Sequence, residues 1–571
     1  MTRLTGKQAL IDMLKAEGVS TVFGNPGTTE MPFVDALQDN TDVRYILSLQ
    51  EASTIGMADG YARATGRPAF CNIHVTVGLA NATSFLYNAY KGGTPLVVTA
   101  GQLDTHLLLQ DGILGSSMAD HVQFAKWSAE LPHARDIPMA IRRAFRIART
   151  PPTGPVFLSL PWNVLDEEDD LDIVPSSPGY PRVRPDASAV EKAARLMAKA
   201  ENPLLLVGDR VAQSGAVSEA VALAELMGAR VYAGSYTEVN FPTGHSQYLG
   251  TLGATWPGKK TLGVLDNVDL VVAVGTDILP AFVYTTHPMF SSRTKIVHLD
   301  SKESDIEKKY PVEIGMQGDP KAGLQDLATA LDDAMSGEER EAAKARASAI
   351  AREKAKRNQA YQQRVKANWN NAVISPERMM GELAQVMPKN AIIASEAVTC
   401  AGALMGAMEF NKPGDYYSAR GGALGWGIPG SVGVKLANPD RPVVAVVSDG
   451  ASLYTIQGLW TASRYNIPIT YVVCNNASYR ILKQGMAMYL TDTGRESQYI
   501  GMNFHELPLN LAKMAEAFNI EGIRVEKGSD LRRAYEKALS SSRPVVVDVA
   551  IDGDVPVEDI QEDYRPYSGR K

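Results

Sequence analysis

Through the first third of the chain, short apolar runs alternate with stretches whose apolar residues recur at helical spacing. A helical pattern over 7–17 leads into an apolar strand at 21–23 and the turn Gly24-Asn25-Pro26-Gly27. After a second helix the pattern predicts a strand at 44–49, a helix at 52–64, a strand at 68–74, a helix at 79–91 and a strand at 94–99. Strands alternating with helices predict a parallel sheet covered on both faces. The last third repeats this order, with strands at 391–394, 443–447, 470–474 and 545–550, and the middle carries strands at 204–207, 230–232, 270–274 and 295–298. Acidic and proline-rich stretches at 166–172 and 175–185 separate the first third from the middle. A segment at 337–364, rich in Glu, Lys, Arg and Ala, reads as a solvated helix joining the middle to the last third. The expectation is three α/β domains, 1–185, 186–340 and 365–571, with a charged connector at 341–364.

The 571 residues are 45% hydrophobic and 21% charged, an ordinary globular composition that excludes collagen-like, disordered and disulfide-scaffold classes. With 57 basic against 64 acidic residues the net charge is −7, which argues against a general nucleic-acid binder. Cys71, Cys400 and Cys474 sit in apolar stretches without CxxC spacing, as buried thiols in a reducing compartment would. The first 18 residues form an amphipathic helical pattern rather than a signal peptide, and no apolar run approaches the ~18 residues that span a bilayer. These features predict a cytoplasmic protein with no membrane and no nucleic-acid partner.

Chemistry concentrates in residues 443–482. One apolar strand ends at Ser448-Asp449-Gly450 and the next at Asn475-Asn476, placing Asp449 and Asn476 27 positions apart, both past the C-terminal ends of strands. That edge is where open α/β sheets bind ligands. A carboxylate, an amide oxygen and a backbone carbonyl can together hold a hard cation that keeps phosphate and water as its other ligands. A helix starting near Ala451 offers free N–H groups to phosphates.

This segment resembles the diphosphate motif of the thiamine-diphosphate-dependent enzymes, with Ser448 in place of the motif's first glycine. The resemblance implies three doubly wound parallel-sheet domains: pyrimidine-binding, central and diphosphate-binding. It implies Mg2+ on Asp449, the Asn476 side chain and the Ser478 carbonyl, and thiamine diphosphate also against Thr399, Gly450, Ala451, Ser452 and Tyr479. Glu51, in RYILSLQEAS, matches the carboxyl group that hydrogen-bonds the cofactor's pyrimidine ring. In ARGGALGWGIPG, Leu424 matches the side chain that holds the cofactor bent, and the Gly422 carbonyl matches the acceptor for its amino group. The central stretch LLLVGDRVAQSG lacks the spacing of a dinucleotide fingerprint, so no nucleotide is assigned there.

Within the family, the segments VFGNPGTTEMPF, ADGYARATGRPAF, NIHVTVGLANA and GLWTASRYNIP resemble the benzoylformate-decarboxylase branch almost end to end. That branch implies proton transfer by His74 and contact of the Thr28 hydroxyl with a substrate carboxylate; Thr28 could equally cap the following helix. Ile113 and Leu114 would keep an apolar wall, whereas Ser418 and Gly485 stand where that branch has pocket aromatics. Arg420 is either half of a structural ion pair or a handle for an anionic substrate, Lys483 is a second cation near the pocket, and His287 is the nearest candidate for a second histidine. The implied activity is non-oxidative decarboxylation of a 2-oxo acid, with carboligation as a side reaction. The alternative is a carbon–carbon lyase or ligase of the same cofactor class, such as a 2-hydroxyacyl-CoA lyase or an acetolactate-synthase-like enzyme. A homodimer with its active site at the interface is the implied minimum, and a homotetramer the expected assembly.

Overall fold

The computed structural model describes residues 2–564 apart from 111, 178, 180, 181, 254–257, 283–287, 492 and 494. Three six-stranded parallel sheets carry the chain. The first runs Arg44–Leu47, Thr21–Gly24, Ala69–Ile73, Leu96–Gln102, Val156–Pro161, Ser128–Glu130. The third runs Tyr416–Ser418, Ile392–Glu396, Val443–Ser448, Thr470–Asn475, Val545–Ala550, Glu521–Val525. Counted along the chain, both have their strands in the same spatial order, so the resemblance between the first and last thirds is one of topology. The central sheet, Tyr248–Thr251, Arg230–Ala233, Pro203–Val207, Leu270–Val274, Lys295–Asp300, Ile314–Gln317, has the doubly wound order that reverses beside its first strand. The central strands of all three sheets are buried along their length, as helix-covered parallel strands must be.

The acidic stretch 166–172 is more than a separator. Glu168–Leu171 forms a strand antiparallel to Thr2–Thr5, with Arg3 paired to Glu168 at 2.9 Å. The charged segment is one helix of 32 residues, Gly337–Asn368, started by a Ser336/Glu339 capping box. It is docked rather than free: Lys354 Nζ donates to the Thr243 and His245 carbonyls at 2.6 and 2.7 Å, and Ala343 and Ile350 are buried.

First and third sheets meet through two helices, Glu51–Thr65 and Gly427–Ala437. Their small residues let the backbones touch. A Cβ added at Gly433 would lie 1.9 Å from the Met57 carbonyl oxygen, and one at Gly60 would lie 2.1 Å from that of Gly430. Trp426 Nε1 donates to Asp59 across the same contact (2.7 Å). One turn on, buried Arg63 donates to Glu238 (2.9 Å), to the Thr237 carbonyl (2.7 Å) and to the Ser418 carbonyl (2.8 Å), so one guanidinium joins all three sheets' surroundings.

Gly433→Ala is therefore expected to destabilise the protein by roughly 1–3 kcal/mol through overpacking. Gly402→Ala, an exposed helical site where an added Cβ meets nothing within 4 Å, should change stability by about 1 kcal/mol or less. Urea unfolding of the two variants beside the parent checks both.

Candidate active site

The first sheet's ligand edge is built where Thr21–Gly24 and Ala69–Ile73 end. Glu51 opens its helix there, buried, with Gln50 capping through Ser53 N–H. Its two carboxylate oxygens accept from Asn25 Nδ2 and Asn81 Nδ2, each at 3.0 Å. Asn81 belongs to the helix Val75–Gly92, and His74 is the residue immediately before it, its side chain making no cap bond. An added Cβ at Gly78, one turn in, would lie 3.2 Å from Glu51 Oε1, so Glu51 and His74 flank the same first turn. His74 Nδ1 lies 2.8 Å from Glu30 Oε2. Thr28 is exposed, and Gly27 rather than Thr28 caps the short turn Thr28–Glu30, so the capping role expected of Thr28 is not observed. Its neighbour Thr29 is the hydroxyl beside His74, at 3.3 Å. Ile113 and Leu114 project from the loop after Leu96–Gln102, exposed rather than walled in, while Thr76 Oγ1 reaches Ser116 Oγ at 2.5 Å beneath them.

The third sheet builds a second edge. Asp449 follows Val443–Ser448 and Asn476 follows Thr470–Asn475, strands adjacent in the sheet. Asp449 Oδ1 accepts from Gly450 N–H at 2.9 Å. Asp449 Oδ2 is buried and has no hydrogen-bond partner among the described residues. Burial pushes the Asp449 carboxyl up to about 6, against N–H donation from Gly450 and Ala477. Asn476 Oδ1 accepts from Ser478 N–H at 3.0 Å, which aims its amide into the loop. Tyr479 packs edge-on against Phe504, 4.7 Å between centroids, and an added Cβ at Gly450 would lie 2.7 Å from the Tyr479 ring. Ala451 and Ser452 continue the short helix Asp449–Ser452, and Thr399 lies in the turn Val398–Cys400 after Ile392–Glu396. Among the described residues no group of three His, Cys, Asp or Glu could hold a metal, so a cation here would take one carboxylate, one amide and one carbonyl. The orphaned Asp449 oxygen fits that donor set, since an unpaired buried carboxylate oxygen is costly without a cation.

Gly422, at φ +111°, and half-buried Leu424 lie in the loop before Gly427–Ala437. Glu396 holds this loop from below: Oε1 accepts from Gly425 N–H (2.8 Å) and Oε2 from Gly427 N–H (2.9 Å). Burial pushes the Glu396 carboxyl up to about 7, against the pull of N–H groups at Gly427, Gly425 and Trp426. Arg420 corrects the pocket expectation. It is buried against Glu238, with Nη1 donating to the Gly92 carbonyl (2.8 Å) and Nε to Thr237 (2.8 Å), so the ion-pair reading is the one observed. Lys483 is buried too, its ammonium 5.6 Å from the centre of the Tyr499 ring. His287 lies outside the described residues.

Of nine non-glycine residues with positive φ among the described residues, four lie at these edges. Val75 (φ 36°) follows His74, Leu114 (φ 67°) sits in the wall loop, Val398 (φ 46°) precedes Thr399, and Ala477 (φ 50°) joins Asn476 to Ser478. Left-handed backbone at β-branched residues persists where surrounding structure overdetermines it, commonly at functional sites. Residues that sequence reasoning missed are Asn25, Asn81, Glu30, Thr29 and Glu396. Asn25 alone had a signal, its place in the Gly-Asn-Pro-Gly turn.

Family models for the thiamine pyrophosphate enzyme N-terminal TPP binding domain, central domain and C-terminal TPP binding domain match residues 4–123, 190–327 and 397–549. The chain belongs to the thiamine pyrophosphate enzyme family. It is 29% identical over 555 residues to a benzoylformate decarboxylase of Pseudomonas aeruginosa, covering 95% of this chain and 98% of that one. It is 27% identical over 575 residues to the acetolactate synthase isozyme 3 large subunit of Escherichia coli, covering 98% and 97%. Solved structures of a 4-hydroxybenzoylformate decarboxylase from Rhodococcus jostii (TM-score 0.82, 26% identity, 96% and 100% coverage) and a benzoylformate decarboxylase from Polynucleobacter necessarius (0.83, 27%, 96% and 99%) share its fold. No helix among the described residues is long and apolar enough to cross a membrane.

Glu396 sets a pH test. Its ordinary value is 4.5 and its folded value about 7, so between these pH values the folded state holds a proton that the unfolded chain releases. This contribution to stability is complete below about pH 4.5 and is lost as pH rises through about 7. Relative to Glu396→Gln, the cofactor-free parent should lose up to roughly 3 kcal/mol across that window. Urea titrations at stepped pH measure the difference, and parallel curves would refute the assignment.

Proposed function

We propose that this thiamine pyrophosphate enzyme, with Mg2+ as its metal, decarboxylates a 2-oxo acid. When bound, the coenzyme supplies a nucleophilic carbon for the 2-oxo group and an electron sink for the pair left as carbon dioxide departs. Asp449, the Asn476 side chain and the Ser478 carbonyl would hold the metal, with Gly450, Ala451, Ser452, Tyr479 and Thr399 around the diphosphate. Gly422 and Leu424 would orient the rings. Glu51, its position set by Asn25 and Asn81, would hydrogen-bond the pyrimidine side. Thr28, exposed, would meet a substrate carboxylate.

The observation that carries the decarboxylase reading is His74, beside Glu51 and anchored through Nδ1. Release of an aldehyde requires a proton on the carbon that lost carbon dioxide, whereas ligation to a second carbonyl bonds that carbon to the acceptor and puts the proton on the acceptor's oxygen. An imidazole at the cleft serves the first outcome. A second reading, carbon–carbon lyase or ligase, draws support from the acetolactate synthase relatives and from Ser418 and Gly485 in place of aromatics. Arg420, turned into its ion pair, lends that reading no support.

The working unit is a homodimer at least, with a homotetramer as the expected assembly. Within one chain Glu51 is bonded to Asn81, whereas the Gly422 loop is tied to Asn88, whose side chain bonds both the N–H and the carbonyl of Ala423. Seven residues of helix separate these anchors, about 10 Å. A second copy would bring a diphosphate edge to each Glu51. Exposed apolar side chains beside both edges, among them Val77, Leu109 and Ile113 on one and Tyr454, Ile481 and Leu482 on the other, would be covered by that contact.

Carbon dioxide release from a panel of 2-oxo acids, run beside cleavage of 2-hydroxyacyl-CoA thioesters, tests the assignment; thioester cleavage without decarboxylation overturns it. Glu51→Gln should retain the parental unfolding free energy in urea within about 1 kcal/mol and lose turnover roughly 10²-fold or more. Dialysis against chelator should abolish activity, and thiamine diphosphate with Mg2+ together should restore it.

A further inference from the structure

We infer that Glu30 is the positioning residue that sets the tautomer of His74, holding the proton on Nδ1 and leaving Nε2 as the free basic nitrogen toward the cleft. The inference rests on the decarboxylase reading for its catalytic consequence and on geometry for everything else. The Glu30 side chain is fully buried and that of His74 is 18% exposed. Glu30 Oε1 accepts from Gly101 N–H (2.7 Å) and from the Thr29 hydroxyl (2.9 Å). Oε2 accepts from Gly27 N–H (2.8 Å) and faces His74 Nδ1 at 2.8 Å. Three of these four partners can only donate or already do so to Glu30, which leaves the carboxylate as an acceptor toward the ring. A buried carboxylate with acceptors alone to offer demands N–H from the imidazole, and the tautomer follows. The imidazole packs on bare backbone on one face: an added Cβ at Gly27 would lie 2.2 Å from Nδ1. On the other side the chain turns left-handed at Val75 (φ 36°) to enter its helix. A proton taken or given at Nε2 then leaves the Nδ1–Glu30 bond intact in both charge states of the ring.

Glu30→Gln reverses the demand. One amide oxygen cannot satisfy every donor, and the amide N–H2 turned to the ring calls for an acceptor at Nδ1, hence the other tautomer. The test begins on the cofactor-free parent with 15N-labelled histidine at about pH 9, above the usual imidazole range, with the His74 signals assigned by their loss in His74→Ala. The inference expects the Nδ1–H tautomer in the parent and the Nε2–H tautomer, or a mixture, in Glu30→Gln. An Nε2–H tautomer in the parent overturns it without any variant having to fold. An Nδ1–H signal unchanged by Glu30→Gln also overturns it. On the holoenzyme, Glu30→Gln should lower kcat roughly 10–100-fold, as loss of an orienting partner does, and by less than about 3-fold in a His74→Ala background, because a coupled pair is non-additive. Equal losses in both backgrounds would make Glu30 merely structural and overturn the positioning role. Failure of the underlying functional reading looks different: the tautomers behave as expected, and the parent releases no carbon dioxide from any 2-oxo acid.

Discussion

The contact between helices Glu51–Thr65 and Gly427–Ala437 governs the rest of the molecule. Backbone meets backbone at Gly60, Gly430 and Gly433, where no side chain could intervene. Such a contact tolerates little sliding, because interiors pack at crystal-like density. It fixes the first and third sheets as one body and sets the first helix's N-terminus, where Glu51 sits, at a determined distance from the Gly422 loop. Arg63 extends the same helix into the central domain and Arg420 meets it at Glu238, so the ionic knot locks a relation the helices already impose. Two sheets of identical strand order packed together in this way each present a strand edge carrying candidate site residues.

Polar groups around those edges follow two regimes. Those that hold the protein's own groups in place are saturated: Arg63 and Glu30 each have partners for essentially every donor or acceptor, as burial requires. Groups assigned to ligands keep unused capacity. Asp449 retains a buried oxygen with no partner among the described residues, and the Glu51 carboxylate is held by two neutral amides. Strained backbone at Val75, Val398 and Ala477 falls on the same edges, consistent with geometry maintained for binding rather than for stability.

Much of this was legible along the chain. Strand positions followed from apolar runs, and observed strands such as Val443–Ser448 and Thr470–Asn475 extend the expected ranges by a residue at one end. Asp449 and Asn476 were visible because the motif's chemistry lies within one strand–helix–strand unit. Other features were invisible because they join distant segments. Arg420 carried two readings until Glu238, far away in sequence, was seen to meet it. The acidic run at 166–172 looked like a linker because its partner strand is the chain's first residues. Nothing local singled out Glu30 or announced that Gly101, 71 residues on, would complete its shell.

By itself the sequence determined where strands and helices form, that their alternation makes parallel α/β sheets, and which motif residues gather at a strand end, since all these depend on interactions a few residues apart. Tertiary structure alone decided which way Arg420 points, which hydroxyl touches His74 and how Glu51 is held. Those outcomes arise from packing between elements, where a side chain's partner is set by the geometry of the crossing rather than by its neighbours in sequence.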